Sequence, residues 1–274
     1  MPRILITGLN GVVGWNLFCA AAASWEAHGT FRKKYPQFDA AHFHRIDLES
    51  DEEVTALFEQ IKPDCLIHSW GICDLDVCEN FPDMAYRINV EGVKRFLRAA
   101  QQCGTVQKFV YISTDHVFNG EKGQYEVGDA PSPIHVYGKT KLEAERLVRE
   151  SGLPYLIIRP GLVIGDSLQG NVGPKDFLLA RIRAGKLTHY FTDEWRSPIQ
   201  ACDFAAQVLD LIRQEMTGIF HVGGRETWNR FDLAVRLASE AGLPTDGVCS
   251  KERSQDTWAH IRPRDLSLKA TPSF

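Results

Sequence analysis

No apolar run in this 274-residue chain approaches the roughly 20 residues that a helix needs to cross a bilayer. Positive charge is not in excess either. With 31 Lys and Arg against 35 Asp and Glu, the formal net charge is −4, so nothing points to nucleic acid or an anionic membrane as partner. The seven cysteines are odd in number and lie scattered without a CxxC pair. That argues against a disulfide framework and fits reduced thiols in a cytoplasmic protein. Cys73 and Cys78 lie close together with His68 nearby, but the spacing matches no zinc pattern and no metal is expected. Internal repeats and low-complexity tracts are missing. The opening MPRILITG enters a strand pattern at once, without the layout of a cleavable signal.

What is present is an ordinary globular composition, 44% hydrophobic and 24% charged, in a length that suits one large domain or two intimate ones. Short apolar runs at Ile4–Thr7, Glu26–Phe31, His42–Ile46, Cys65–His68, Phe109–Ser113 and Tyr155–Arg159 read as strands. Helical spacing fills the gaps at Val13–Ala23, Asp51–Ile61, Asp83–Gln102 and Lys139–Glu150. Ser50 and Glu53 open the second of these as a capping box. The alternation predicts an α/β fold, a doubly wound parallel sheet of Rossmann type. After Arg159 the rhythm loosens. Helices are expected near Asp176–Ala184, 203–214 and Phe231–Ala241, with a strand at Gly218–Val222 and a mostly irregular tail from Gly242. The expected division is residues 1–165 plus about 198–222 for dinucleotide binding. Residues of about 166–197 and 223–274 would form a smaller C-terminal substrate-binding cap.

Directly after the first strand comes TGLNGVVG, with Gly8, Gly11 and Gly14. Between a strand and a helix, such glycines permit a tight turn, close approach of backbone to a pyrophosphate, and helix–strand packing, with the helix N-terminus facing the anion. The second strand ends in Arg32, Lys33 and Lys34 with no acid at the position where NAD sites often hold one. Cations there suit a 2′-phosphate, so NADP(H) is preferred and NAD(H) stays open. Asp47 and Leu48 follow the third strand, where adenine would lie; Asp47 either accepts from the adenine amino group or caps its own loop.

The fifth strand, KFVYISTD, delivers Ser113 and Thr114 to the sheet edge where ligands bind in such folds. Residues 137–141 then read YGKTK. Spacing of i and i+4 puts Tyr137 and Lys141 on one helical face. Free tyrosine is a poor acid near neutrality, and an adjacent ammonium is expected to lower its pKa. Tyr137 would then protonate a carbonyl oxygen as hydride reaches the carbon, with the Thr114 hydroxyl holding the same oxygen.

Taken in this order, the chain resembles the extended short-chain dehydrogenase/reductases, and within them the dTDP-4-dehydrorhamnose reductase branch. The marks are ILITGLNGVVG, INVEG (88–92), ISTDHVFNG (112–120), YGKTKLEAE (137–145), IIRPGLVIG (157–165), RSPIQACDFA (196–205), GIFHVGG (218–224) and the tail IRPRDLSL (261–268). The resemblance implies Thr114, Tyr137 and Lys141 as catalytic residues. It implies Gly8, Asn10, Gly11, Val12 and Val13 around the pyrophosphate and Arg32 at the 2′-phosphate. Ser69, Trp70 and Gly71 would lie near the nicotinamide ribose, Pro160 against its ring, and Asn89 behind the site. Two positions depart from the branch. HSWG replaces an alanine-rich stretch, so Trp70 either narrows the pocket or belongs to the core, and His116 stands where an aromatic is usual.

The expected activity is reduction of a keto group, on a nucleotide-linked 4-keto-6-deoxy sugar. Ser113, His116, Trp195, Arg196 and Arg262 are set against the substrate, the arginines for phosphate and the tryptophan for a base or sugar face. An epimerase uses the same Tyr and Lys and stays open. A dehydratase loses support because Asp115 is followed by His116 and not by a second acid. A non-catalytic NADP-binding subunit resembling the regulatory β subunit of methionine adenosyltransferase is the reading from another class. A homodimer through surface helices is left open, with no stripe that marks it.

Overall fold

A computed structural model describes residues 1–32 and 41–269. Six strands, β1 (Arg3–Ile6), β2 (Glu26–Phe31), β3 (Phe43–Arg45), β4 (Cys65–His68), β5 (Lys108–Ile112) and β6 (Tyr155–Pro160), together with Gly218–Val222, form one parallel sheet. Its order is β3, β2, β1, β4, β5, β6 and Gly218–Val222. The strand order reverses direction between β1 and β4, the point at which open sheets of this kind bind ligands in a crevice at the C-terminal strand ends.

The period-2 alternation of the strands divides the core. Ile4, Ile6, Val110, Ile112, Leu156 and Ile158 point to one face, where α1 (Val12–Ala21) and α8 (Ala201–Arg213) cover them. Leu5, Phe109, Tyr111 and Ile157 point to the other, under α2 (Asp51–Ile61), α5 (Gly92–Cys103) and α6 (Val136–Glu150). In α2, Val54, Leu57, Phe58 and Ile61 recur at helical spacing and are buried. Ser50 accepts the Glu53 N–H at 3.2 Å, but the Glu53 carboxylate reaches past Ser50 to the Asp47 N–H at 2.7 Å, so the expected capping box is only half formed.

The expected helix over Asp83–Gln102 is composite. Two short helices, α3 (Leu75–Asn80) and α4 (Pro82–Tyr86), lead into a π-helical turn, Arg87–Glu91, before α5 begins. The wider turn places Asn89 so that its side chain accepts the Ile72 N–H (2.9 Å) and donates to the Ile72 carbonyl (3.0 Å) and to Thr140 Oγ1 (3.1 Å). It thereby ties the loop after β4 to α6.

Residues after β6 add α7 (Pro174–Arg183), α9 (Arg230–Glu240) and a parallel pair, Thr188–Phe191 with Val248–Lys251, around a third apolar cluster. The tail is less irregular than its composition suggests. Leu266 and Leu268 are buried against Val117, Phe118 and Tyr125, the Asp265 N–H donates to the Gly120 carbonyl at 2.9 Å, and Gly120, at φ +83°, leaves no room for a Cβ beside Pro263. Among the described residues no helix is long and apolar enough to cross a membrane.

One ion pair crosses the core. Glu145 on α6 and Arg159 on β6 are each 2% exposed, joined by bonds of 3.0 and 2.8 Å, and Ser113 Oγ donates to the same carboxylate at 2.5 Å. Removing one partner strands the other charge in the interior. Glu145→Ala and Arg159→Ala are each expected to cost about 3–5 kcal/mol, and the double replacement Glu145→Leu with Arg159→Leu distinctly less than their sum. Urea denaturation of the three variants checks this.

Candidate active site

At the crevice, wholly buried Thr7 staples the ends of β1 and β4. Its Oγ1 accepts the Ser69 and Trp70 N–H groups, both at 3.1 Å, and Ser69 Oγ donates to the Thr7 carbonyl at 2.5 Å. Two of the three glycines serve this packing. Gly8 has φ +79° and would bring a Cβ within 3.0 Å of Trp70 Cα; a Cβ at Gly14 would lie 2.4 Å from the Gly8 carbonyl oxygen. At Gly11 a Cβ would meet only that oxygen, at 3.6 Å, so protein packing does not demand glycine there. Gly11 is also the N-cap of α1, which has neither a side-chain cap nor an acid in its first turn. The Val12 side chain is spent on packing beside Gly165 and Gly173. The open cradle and the uncapped, unneutralised helix end fit a pyrophosphate.

Around the cradle, Asn10 and Val13 are half-buried on the same turn, and Arg32 is exposed at the end of β2. Lys33 lies outside the described residues. Asp47 spends its Oδ1 on the Glu49 N–H at 2.9 Å, the loop-capping alternative, and Leu48 is buried. The Trp70 ring packs on Gly92, where a Cβ would meet it at 2.6 Å, and belongs to the core between sheet and α5. Gly71 is exposed next to Asn89, and Pro160 is buried at the end of β6.

Thr114 follows β5 and begins a short 3₁₀ turn. Its Oγ1 accepts the His116 N–H at 3.2 Å and lies 3.2 Å from Asp115 Oδ1. Tyr137 enters from the first turn of α6, 8% exposed, with its phenol close enough to the Thr114 side chain for that hydroxyl to favour its ionisation. Lys141 Nζ, one turn on, donates to the Ile112 carbonyl at 2.7 Å and lies 4.2 Å above the Tyr111 ring. Thr114, Tyr137 and Lys141 thus meet at the sheet edge. Ser113 does not join them: its hydroxyl is committed to Glu145, which makes it a support for the site and not a substrate contact.

Electrostatics correct one expectation. Burial lifts the Tyr137 phenol above the ordinary tyrosine range, with Cys73 adding to the rise and the Thr114 hydroxyl opposing it. Lys141 does not offset this, because burial lowers its own pKa to about 7. Asp115 is raised to about 6 by burial, against the pull of Arg196.

His116 sits beside the triad, its ring edge-on to Tyr137 at 5.7 Å, within electrostatic reach of Arg196, Arg230 and Arg262. Arg196 is 4% exposed, with Nη1 on the Trp195 carbonyl (2.8 Å) and Nη2 3.6 Å from Glu194. Arg262 is shared between Asp76 (3.1 Å) and Asp256 (3.2 Å). Trp195 is half-buried in a two-residue strand paired with Trp228–Asn229. Arg230, at the start of α9, was not foreseen. It sits in the run TWNR without periodicity or motif, and only the Asn229 cap, which accepts the Asp232 N–H at 2.8 Å, hints at the helix that presents it.

A family model described as the RmlD substrate binding domain matches residues 2–272. The chain is 30% identical over 267 residues to the "Probable low-salt glycan biosynthesis reductase Agl14" of Haloferax volcanii, covering 96% of this chain and 88% of that protein. It is 28% identical over 275 residues to "Methionine adenosyltransferase 2 subunit beta" of Bos taurus, covering 97% and 80%. The structure of a hypothetical dTDP-4-dehydrorhamnose reductase from Sulfolobus tokodaii superposes with a TM-score of 0.78 at 30% identity, over 98% of this chain and 92% of that one.

The shift at Asp115 has a definite sign. Its carboxyl is easier to protonate in the fold than in the unfolded chain, so the fold gives up stability as pH rises from about 4 through about 6. Asp115→Asn is expected to leave the melting temperature little changed near pH 4. At pH 7.5 it should gain on the order of 1–2 kcal/mol. Thermal denaturation of both proteins at the two pH values reads the difference.

Proposed function

The chain belongs to the RmlD substrate binding domain family, and from that membership we propose that it is an NADP(H)-dependent reductase of a keto group on a nucleotide-linked 4-keto-6-deoxy sugar. The observation that carries this reading is the convergence of Thr114, Tyr137 and Lys141 at the sheet edge that also holds the open Gly11 cradle. Bound at that cradle, the dinucleotide would supply the hydride. Thr114 and Tyr137 hold the substrate oxygen, and Tyr137 gives it a proton. A phenol lifted by burial is protonated at neutral pH, the state a reduction needs at its start. Once the phenol has given up its proton, a positive Lys141 beside it becomes favourable, and a group poised at about 7 takes up a proton at little cost.

Exposed Arg32 at the end of β2 supports NADP(H) over NAD(H), since Asp47 is engaged in its own loop. Arg196, Arg230 and Arg262 around His116 support an anionic substrate such as a sugar diphosphate. Similarity to methionine adenosyltransferase 2 subunit beta over 97% of the chain favours a second reading, a dinucleotide-binding subunit without turnover.

Stoichiometric NADPH oxidation over a panel of 4-keto nucleotide sugars decides between the two. Turnover that consumes NADPH also excludes an epimerase. Tyr137→Phe should lower kcat by about 10²-fold or more while NADPH affinity changes little. Arg32→Ala should weaken NADPH about tenfold and NADH hardly at all. Full activity of Tyr137→Phe would remove the proton-donor role.

A further inference from the structure

Two histidines beside the triad are bonded in a way that determines where their protons sit. His135 is 1% exposed and caps α6: its Nδ1 accepts the Gly138 N–H at 3.0 Å, so that nitrogen carries no proton. Burial and Arg196 hold His135 down at about 4, and the same two causes depress His116, so both rings are neutral at pH 7. A neutral imidazole has a single N–H. In His135 it must be on Nε2, which lies 2.9 Å from His116 Nδ1. His135 is therefore the donor of that bond and His116 Nδ1 the acceptor. The one proton of His116 is left on Nε2. The nearest carboxylate oxygen, Asp115 Oδ1, is 4.0 Å away, too far for a hydrogen bond.

We propose that His135 is a positioning residue which, by capping α6 with one nitrogen and donating with the other, locks His116 as an Nε2–H donor to a substrate oxygen beside the reacting carbonyl. His116 is then a specificity-determining residue. It favours keto sugars with a hydroxyl or other acceptor oxygen on the carbon next to the ketone, and it disfavours analogues deoxygenated there. The substrate half of this inference rests on the reductase reading; the locked tautomer stands without it.

The test has two arms. In ¹⁵N-imidazole NMR spectra of the whole protein at pH 7, His116 should be the neutral Nε2–H tautomer. His135→Ser keeps a side-chain oxygen for the Gly138 N–H but removes the donor, so His116 should become a mixture of tautomers. An Nδ1–H His116 in the wild type, or an unmixed Nε2–H form in His135→Ser, overturns the lock. In the kinetic arm, His135→Ser and His116→Phe should each lower kcat/KM about tenfold, mainly through KM, with unchanged NADPH affinity. The double variant should lose no more than His116→Phe alone. On an analogue lacking the neighbouring oxygen, both penalties should vanish. Additive losses, or equal penalties on that analogue, overturn the specificity role. Absence of any turnover in the wild type would sink the reductase reading and the substrate half together, while the spectra would still decide the tautomer.

Discussion

A carboxylate with no access to water holds this site together. Glu145 is tolerable in the interior only while Arg159 and Ser113 saturate it, and those three groups come from α6, β6 and the end of β5. The condition is satisfied in one relative placement of helix and sheet. In that placement Tyr137, on the first turn of α6, meets Thr114, the immediate neighbour of Ser113. Lys141, one turn before Glu145, reaches the Ile112 carbonyl at the end of β5. An ion pair of this kind is weak evidence for net stability, because its desolvation cost rivals its attraction. What it supplies is register between the elements that carry the chemistry.

The same dryness governs the titrating groups. Tyr137, Lys141, Asp115, His116 and His135 are all displaced toward their neutral forms, and burial is the leading cause for each. At pH 7 Tyr137, His116 and His135 are therefore neutral, Lys141 is poised near its midpoint and Asp115 is still largely ionised within reach of Arg196. Charges brought by a dinucleotide or a sugar phosphate would act there at full strength, little screened by water. An unperturbed tyrosine–lysine couple on an exposed helix would have no such sensitivity.

Much of this was legible beforehand. The strands Glu26–Phe31, Cys65–His68 and Gly218–Val222 match residue for residue. The glycine turn and the YGKTK helix carry their own periodicity and needed no tertiary knowledge. What the chain did not reveal depends on who meets whom in space. Trp70 could be assigned to core or pocket only once Gly92 was known to leave room for its ring. Arg230 belongs to no local pattern, and the acid it faces, Glu194, lies far back in the chain; His135 meets His116, which lies 19 positions earlier. The π-helical turn at Arg87–Glu91 escaped because helical spacing does not reveal one extra residue in a turn. Ser113 was misassigned for a related reason: the acceptor that claims its hydroxyl is 32 positions away.

The docking of the tail has a consequence for biosynthesis. The loop that follows Thr114 rests on Leu266 and Leu268, and the Gln124 N–H donates to the Ser267 Oγ, 143 positions later. A ribosome will have made the cradle, Tyr137 and the seven-stranded sheet well before it makes the floor beneath that loop. Emergence of the segment around Leu266 and Leu268, and not completion of the sheet, sets the moment at which a newborn molecule acquires a finished centre.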